Sequence, residues 1–386
     1  MKKNLKVAYF SGHVRIPSYG ASSIHIMKMC SAYSQLGHKV TLFVSNIETE
    51  YSHEDEYGFY GVEKNFEIRK ISLNNNSKIQ FFQLSIWSSF KGLTGNYNVI
   101  HARNLATAWA TAIIFKQPIV YEMHGMPENN AKSIWMFNQL INSKHCLFVI
   151  VITNLLKQNL SDFIKHKKEI LVCPDGFSNF AISDESKLSA FKKSLSERIG
   201  TGKIALYTGH LYEGRGIELI IELAKSVDEV NFVVVGGRNI DVDKYRTLTF
   251  GIQNIHFLGF VPPSEVPYYQ ICADVLLMPY ADKVFVPGGI DSSKYASPLK
   301  MFEYMNSGVP IISSKLPILS EILVNNQNCL MVEYSDVQGW INGIKVILSD
   351  EELSKRLSQT AKSQVQDFSW ENRAKRIIEF IHLKLS

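Results

Sequence analysis

The feature that most constrains this chain is an alternation, kept up over nearly its whole length, of short apolar β-rich runs with segments of helical spacing. Compact runs stand at residues 5–10, 39–45, 99–101, 119–122, 147–153 and 170–173. A polar, charged stretch follows at 177–203. The rhythm then restarts at 204–208, 232–235, 255–258, 275–279, 309–313 and 330–332. Runs this short and apolar suit strands covered on both faces, and the helical segments between them supply the crossovers that parallel strands require. The pattern predicts an α/β chain with doubly wound parallel sheets. Between the first two runs, residues 22–36 have helical spacing, with Ile24, Met27, Ala32 and Leu36 as the candidate buried face and Gly37 as the stop. A last helical pattern runs over 368–384, with Ile377, Ile378, Phe380 and Ile381.

At about 150 residues per domain, 386 residues imply two domains or three. The polar stretch places a boundary near residue 180. Apolar residues make up 46% and charged residues 20%, which excludes a disordered chain, a collagen and a small disulfide-stapled scaffold. The net charge of +5 is too small to argue for nucleic acid and suits an anionic substrate or membrane surface equally well. Cys30, Cys146, Cys173, Cys272 and Cys329 are odd in number, widely spaced and without a CxxC, so a reducing cytoplasm is expected rather than a disulfide framework or zinc site. The first apolar run is short, carries Lys6 and lacks a small-residue cleavage site, so it reads as a strand and not a signal peptide. No run of about 18 apolar residues is present to cross a membrane.

Ligands of open parallel sheets bind beyond the carboxyl ends of the strands, which directs attention to the residues after each run. Gly209-His210-Leu211-Tyr212-Glu213-Gly214-Arg215-Gly216 stands between a strand run and a helical pattern. A glycine loop at a helix N-terminus offers free N–H groups and the positive end of the helix dipole to a diphosphate, and Arg215 can fork onto phosphate oxygens. The alternative is a solvated arginine beside a turn. In Ser297-Pro298-Leu299-Lys300-Met301-Phe302-Glu303, the proline suits a first helical turn and Glu303 lies among apolar neighbours. A carboxylate there needs a partner, either a ribose diol or Lys300 three residues back on an exposed face. His124, in VYEMHG (120–125), follows a strand run. A lone histidine is more often structural, and Glu122 on the same strand face could orient it. Asp241-Val242-Asp243 spells a metal-type DxD but reads as a solvated surface loop, and no metal is expected. Residues 77–90 carry Ile79, Phe81, Phe82, Leu84, Ile86, Trp87 and Phe90 between Lys78 and Lys91. Core packing is the first reading of that helix, and a position at a bilayer surface is the second. The KHKK cluster at 165–168 reads as a solvated face that would add to membrane attraction.

Together these segments resemble the retaining glycosyltransferases of family 4, which have the GT-B fold. SPLKMFEYMNSGVPIISS (297–314) is similar to the family's donor-sugar motif, and GHLYEGRGIELI (209–220) to its G-R-x4-K-G segment. LGHKVTLFV (36–44), VYEMHG, VCPDGF (172–177), VVVGG (233–237) and HFLGFV (256–261) match in order and spacing. The resemblance implies two Rossmann-like domains facing across a cleft: an acceptor domain (1–180), a nucleotide-sugar domain (181–366) and a C-terminal helix (367–386) returning to the first. It implies transfer of a sugar, with retention, from a nucleotide diphosphate sugar to a hydroxyl of a glycan or lipid-linked acceptor. The leaving phosphate would take the acceptor proton on the same face. The setting implied is cell-envelope polysaccharide synthesis, in the cytoplasm at the inner face of the plasma membrane, with no cofactor beyond the donor co-substrate and no nucleic acid.

Carried over residue by residue, Arg215 stands where the family has a lysine on the diphosphate, and His210, beside Gly209, stands where it usually has arginine. Glu303 matches the ribose-binding glutamate, and the first glutamate of that pair falls at Tyr295. Ser297, Pro298 and Leu299 would contact sugar and phosphate, through backbone N–H groups where they have one. Lys300 would compensate phosphate charge. Gly236, Phe260 and Val261 complete the donor side, and His124 would lie near the transferred sugar. The acceptor side comprises Gly12, His13 and Gly20 of the first glycine loop and Arg103 of HARN (101–104). A sugar-nucleotide epimerase or phosphorylase of the same architecture, and a non-catalytic nucleotide-sugar or glycan-binding protein, are the alternatives.

Overall fold

A computed structural model describes residues 4–72, 77–127, 130–163, 168–179, 185–286 and 290–386. The chain forms two units. The first runs up to Asp175 and adds Trp370–Ser386, and the second is Gly176–Ser369. The division falls at Asp175, while the boundary expected near 180 lies outside the described residues.

The first unit is built on β1 (Lys6–Phe10), β2 (Lys39–Ser45), β3 (Glu67–Ile71), β4 (Val99–Ala102), β5 (Ile119–Met123), β6 (Cys146–Val151) and β7 (Ile170–Val172). They form one parallel sheet in the order β3-β2-β1-β4-β5-β6-β7. β1 is central, with Val7 opposite Val40 on one side and Val99 on the other. The strand order reverses between β1 and β4, so their carboxyl ends open a crevice there. Gly12 just beyond β1 has φ +64°, and a Cβ on it would stand 2.9 Å from the Asn104 Cβ beyond β4, so only glycine lets these two loops approach. The helix Ala21–Gln35 buries Met27 and Ala32, together with His25, Met29 and Cys30. The helix Trp370–Leu385 packs against it, burying Trp370, Arg373, Ile377 and Ile381.

β3 escapes the sequence pattern because it is a polar edge strand, with Glu67 and Arg69 paired at 2.8 Å. Of the apolar residues singled out on the helix Ser77–Thr94, Leu84 packs inward with Ser85, Ser88 and Ser89, whereas Trp87 and Phe90 point out, 49% and 42% exposed. Hydroxyl pairing fills the seam beneath, where Ser89 and Thr111 meet at 2.8 Å. The side chains at 77–82 and the 165–167 part of the KHKK cluster lie outside the described residues.

The second unit holds β8 (Lys203–Thr208), β9 (Val230–Val235), β10 (Ile255–Gly259), β11 (Val275–Met278), a small antiparallel pair β12 (Phe285–Val286) and β13 (Ile290–Asp291), then β14 (Ile311–Ser314) and β15 (Leu330–Val332). The large sheet is parallel in the order β10-β9-β8-β11-β14-β15, and its reversal lies between β8 and β11. The core at this sheet joins Phe232, Val234 and Leu277 to Leu223, Trp340 and Ile344 of the helices Ile217–Ser226 and Val337–Ser349. The polar stretch conceals the helix Glu185–Ile199, which buries little beyond Leu195 and Ile199. Asp241 and Asp243 do not form a surface loop. They lie in the helix Asn239–Leu248, where Asp241 pairs with Arg238 at 2.7 Å and Asp243 with Arg246 at 3.7 Å. A first-turn aspartate is stabilised by the helix dipole, which the loop reading overlooked.

Candidate active site

The carboxyl ends of β8 and β11 bring two cations together. β8 stops at Thr208, and Gly209 turns the chain at φ +132°. A Cβ on Gly209 would meet the Lys300 Nζ at 3.1 Å, so glycine gives the lysine its place. Gly216 starts the next helix at φ +83°, where a Cβ would fall 1.8 Å from the Pro279 carbonyl. That approach seats the Arg215 loop against the end of β11. Lys300 extends from the first turn of the helix Leu299–Ser307. Its Nζ stands 3.6 Å from the Tyr207 ring centre and 5.0 Å from that of Tyr280, and the Arg215 guanidinium lies 4.7 Å from the same Tyr280 ring. Neither Lys300 Nζ nor Arg215 Nε, both buried atoms, has a hydrogen-bond partner among the described residues.

Two half-buried cations held by aromatic faces, with Nζ and Nε out of solvent, favour a negative charge beside them, because cation–π attraction offsets only part of the desolvation cost. Burial pushes the Lys300 ammonium well below its ordinary range, Arg215 adds to the effect, and Glu303 one turn along opposes it. A bound anion restores the balance, and the N–H groups at the start of the helix Leu299–Ser307 point the same preference. Tyr304 ties this helix to β8 by accepting the Thr208 N–H at 2.8 Å.

His210 stacks on Tyr212 with ring centres 4.8 Å apart. Burial first, and Arg215 second, push its pKa down to about 4, so it brings no charge at neutral pH to a place where the resembling family has arginine. Gly236 follows β9, and a Cβ on it would stand 2.3 Å from the Gly209 carbonyl oxygen. Phe260 and Val261 follow β10 at the same sheet edge. Ser297, Pro298 and Leu299 are buried at the helix start, and Tyr295, half-buried, precedes them with its N–H donated to the Ser292 carbonyl at 3.2 Å. The structure thus joins Gly209, Arg215, Lys300 and Gly236 directly. The tyrosine faces of Tyr207 and Tyr280 are the part that sequence reasoning missed. No spacing marks them, although Tyr207 stands two residues before the glycine loop.

In the first unit, the acceptor-side residues gather where β1 and β4 part. Arg103 donates to the Ser22 carbonyl at 2.8 Å, and burial together with Arg103 lowers the pKa of His13. Gly20 accepts the Ser23 N–H at 2.9 Å at the start of the helix Ala21–Gln35. His124, beyond β5, places Nε2 2.6 Å from Glu122 Oε1. Glu122 is fully buried and is the centre of a cluster. His25 Nε2 lies 2.8 Å from Oε1, His101 Nε2 2.8 Å from Oε2, and the Arg373 guanidinium donates to Oε1 at 3.1 Å. His25 Nδ1 meets Asp175 at 2.7 Å, the Tyr33 hydroxyl meets His101 Nδ1 at 2.9 Å, and Arg373 also donates to the carbonyls of Pro174 and Cys173.

Burial alone would raise the Glu122 pKa, but Arg373 and the histidines hold it well below the usual carboxylate range. Burial and Arg103 push His124 the other way for a base, down to about 4, so its ring is neutral at physiological pH. His25, Glu122 and His124 present potential ligand atoms within 4.8 Å of one another. The Arg373 guanidinium occupies the same Oε1 and already supplies the positive charge, so this donor set does not suit a cation.

Residues 22–178 match the family model described as Glycosyltransferase Family 4, and residues 190–364 match the one described as Glycosyl transferases group 1. The chain is a glycosyltransferase with the GT-B fold. It is 24% identical over 383 residues, 93% of each chain, to an uncharacterized glycosyltransferase of Methanocaldococcus jannaschii. It is 23% identical over 229 residues to the D-inositol 3-phosphate glycosyltransferase of Corynebacterium urealyticum, covering 55% of this chain and 51% of that one. Among solved structures, Anabaena HepE in complex with UDP and glucose superposes with a TM-score of 0.73 at 16% identity, over 97% of this chain and 99% of that one. Sucrose-phosphate synthase from Thermosynechococcus elongatus gives 0.73 at 16% identity, over 97% and 98%.

Proposed function

We propose that this glycosyltransferase moves a hexose-type sugar from a nucleotide diphosphate sugar to a hydroxyl of a glycan or lipid-linked acceptor, with retention, in cell-envelope polysaccharide assembly. The observation that carries the reading is the Arg215–Lys300 pair, half-buried over tyrosine rings at the reversal point of the second sheet, with Lys300 Nζ and Arg215 Nε lacking a hydrogen-bond partner among the described residues. Structures related in fold support the donor class: HepE with UDP-glucose, and Staphylococcus aureus TarM with UDP and α-GlcNAc-glycerol. The envelope setting is supported by likeness to WaaG, a glycosyltransferase of lipopolysaccharide biosynthesis, and to a putative teichuronic acid biosynthesis glycosyltransferase of Bacillus subtilis.

In the step proposed, the bond from the anomeric carbon to the diphosphate oxygen breaks while the acceptor oxygen bonds to the same face. The departing phosphate oxygen takes the acceptor proton. Arg215, Lys300 and the N–H groups at the start of the helix Leu299–Ser307 stabilise the charge that develops on the diphosphate. Glu303 holds the ribose diol, and His124 faces the sugar. With Tyr295 and the neutral His210 at their positions, Arg215 and Lys300 are the cationic side chains proposed for the donor diphosphate. A thermal-shift screen of UDP, GDP and ADP sugars tests this. At about 100 times Kd a donor adds about 2.7 kcal/mol, enough to raise Tm by several degrees. One nucleotide class is expected to do so, and the product glycoside is expected to keep the donor's anomeric configuration by NMR. No shift with any sugar nucleotide, or an epimerised donor formed without acceptor, would refute the reading.

The acceptor unit is proposed to meet an anionic membrane through the helix Ser77–Thr94. Trp87, Phe90 and Leu93 are exposed on it beside Lys91. Between Glu67 and Glu122 the sequence holds no aspartate or glutamate but carries Arg69, Lys70, Lys78, Lys91, Arg103 and Lys116. Arg69 and Lys70 pair with Glu67 and Glu56, which leaves the exposed aromatic side chains beside Lys91 as the match to the interface of an anionic bilayer. Lys91→Glu is expected to weaken sedimentation with phosphatidylglycerol vesicles by roughly tenfold, at about 1 kcal/mol for each charge lost and reversed. Sedimentation with phosphatidylcholine should not change, and equal binding of wild type and variant would rule the surface out.

A further inference from the structure

The ionic cluster around Glu122 has more parts than burying one carboxylate needs. It draws a histidine from the helix Ala21–Gln35, another from the end of β4, Asp175 where the chain leaves the first unit, and Arg373 just after the chain re-enters it at Trp370. Trp370 itself packs edge-on against the His25 ring with centres 5.1 Å apart. His124 touches the cluster through one nitrogen only. We infer that Arg373 and Asp175 are positioning residues for His124: the cluster fixes its proton on Nε2 and leaves Nδ1 a bare hydrogen-bond acceptor.

The argument is one of donors and acceptors. An ionised carboxylate can only accept, so each imidazole nitrogen that hydrogen-bonds to Glu122 must carry a proton. His101 gives an internal check. With its Nε2–H on Oε2, its Nδ1 is a lone pair, and Nδ1 is the atom facing the Tyr33 hydroxyl at 2.9 Å, a group able to donate. The same rule at His124 puts the proton on Nε2, toward Oε1 at 2.6 Å. Its Nδ1 has no hydrogen-bond partner among the described residues, and the ring is a quarter exposed. Burial and Arg103, beyond β4, keep this ring neutral, and the His25 ring stands edge-on to it with centres 4.9 Å apart.

Arg373 is what keeps Glu122 an acceptor. A lone carboxylic group at this depth would bind a proton and could then donate, allowing His124 to take either tautomer. Arg373 removes that freedom through Oε1 at 3.1 Å and is itself held by the Pro174 carbonyl at 2.9 Å. Asp175 fixes His25 from its other nitrogen, so His25 faces Glu122 in one orientation. A His124 of this form takes a hydrogen bond from a sugar hydroxyl and gives no proton to a leaving group. The inference rests on the reading that His124 faces the donor sugar, and the experiment separates the two.

Histidine-labelled protein examined by long-range proton–nitrogen NMR reports the tautomer directly, with His124→Asn assigning the signal. The wild type is expected to show Nε2–H and a bare Nδ1 from pH 6 to 8. Arg373→Met is expected to mix the tautomers and lower kcat on the order of 10- to 100-fold, as displaced catalytic geometry does, with a smaller change in donor KM. Arg373→Lys should restore the single tautomer and part of kcat. If Arg373→Met fails to fold, Asp175→Asn gives the same readout. An Nδ1–H or imidazolium signal in the wild type at pH 7, or an unchanged tautomer in whichever variant is read, overturns the inference. Full turnover by His124→Asn would instead overturn the placement of His124 at the sugar and leave the tautomer result standing.

Discussion

Arg215→Ala is expected to abolish the donor-induced thermal shift and to lower kcat/KM by about two to three orders of magnitude, the usual loss when a group that stabilises developing charge is removed. The apoprotein carries the opposite sign. Arg215 and Lys300 repel each other inside a buried site without a carboxylate hydrogen-bonded to either Nζ or Nε. Removing one cation relieves that repulsion, so the variant's own Tm should hold or rise. Lys300→Met should behave alike. A variant that binds no sugar nucleotide while melting no earlier than wild type cannot be dismissed as misfolded. Retention of the full donor shift in both variants would place the diphosphate elsewhere.

Glu122→Ala should be the most destabilising single substitution in the first unit. It strips the shared acceptor from Arg373, His101 and His124 at once and removes the carboxylate 2.8 Å from His25 Nε2. Leaving a buried charge without its partner costs about 3–5 kcal/mol, which in a unit of this size lowers Tm by roughly 10 °C. The same cluster sets the acid limb of stability. Folding lowers the Glu122 pKa below 4.5, so its contribution is present above that value and is lost as pH falls through the folded pKa. Folding also lowers His124 from 6.5 to about 4, so the unfolded chain binds the extra proton in that window and stability declines as pH drops from 6.5. Wild-type Tm should therefore fall from pH 6.5 downward and fall faster below 4.5. A flat Tm between pH 7 and 4, or a Glu122→Ala loss under 1 °C, would show that the cluster is not ionic.

The strands of both large sheets were legible wherever burial on both faces made them apolar, as at β2 and β8, each foreseen to within a residue. β3 and the helix Glu185–Ile199 were not, because an edge strand and a half-solvated helix bury too little to leave an apolar pattern. The site divides in the same way. The proposed phosphate site draws on two motif-bearing segments, 209–216 and 297–303, so Gly209, Arg215 and Lys300 stand out in the sequence. The cluster draws on positions 25, 101, 122, 175 and 373, five elements with no shared motif. Each is an ordinary residue in its own neighbourhood, and only the parallel order of the strands and the return of the last helix link them into one chain of contacts about Glu122 and His25.

The tyrosine rings beneath Lys300 and Arg215 have a kinetic meaning as well. Had carboxylates held those cations, each arriving donor would first have to displace them, and each departing nucleotide would have to wait for them to swing back. A ring face neither leaves nor returns. With the diphosphate bound there as proposed, the cation pair would be restored on product departure without a carboxylate having to swing back.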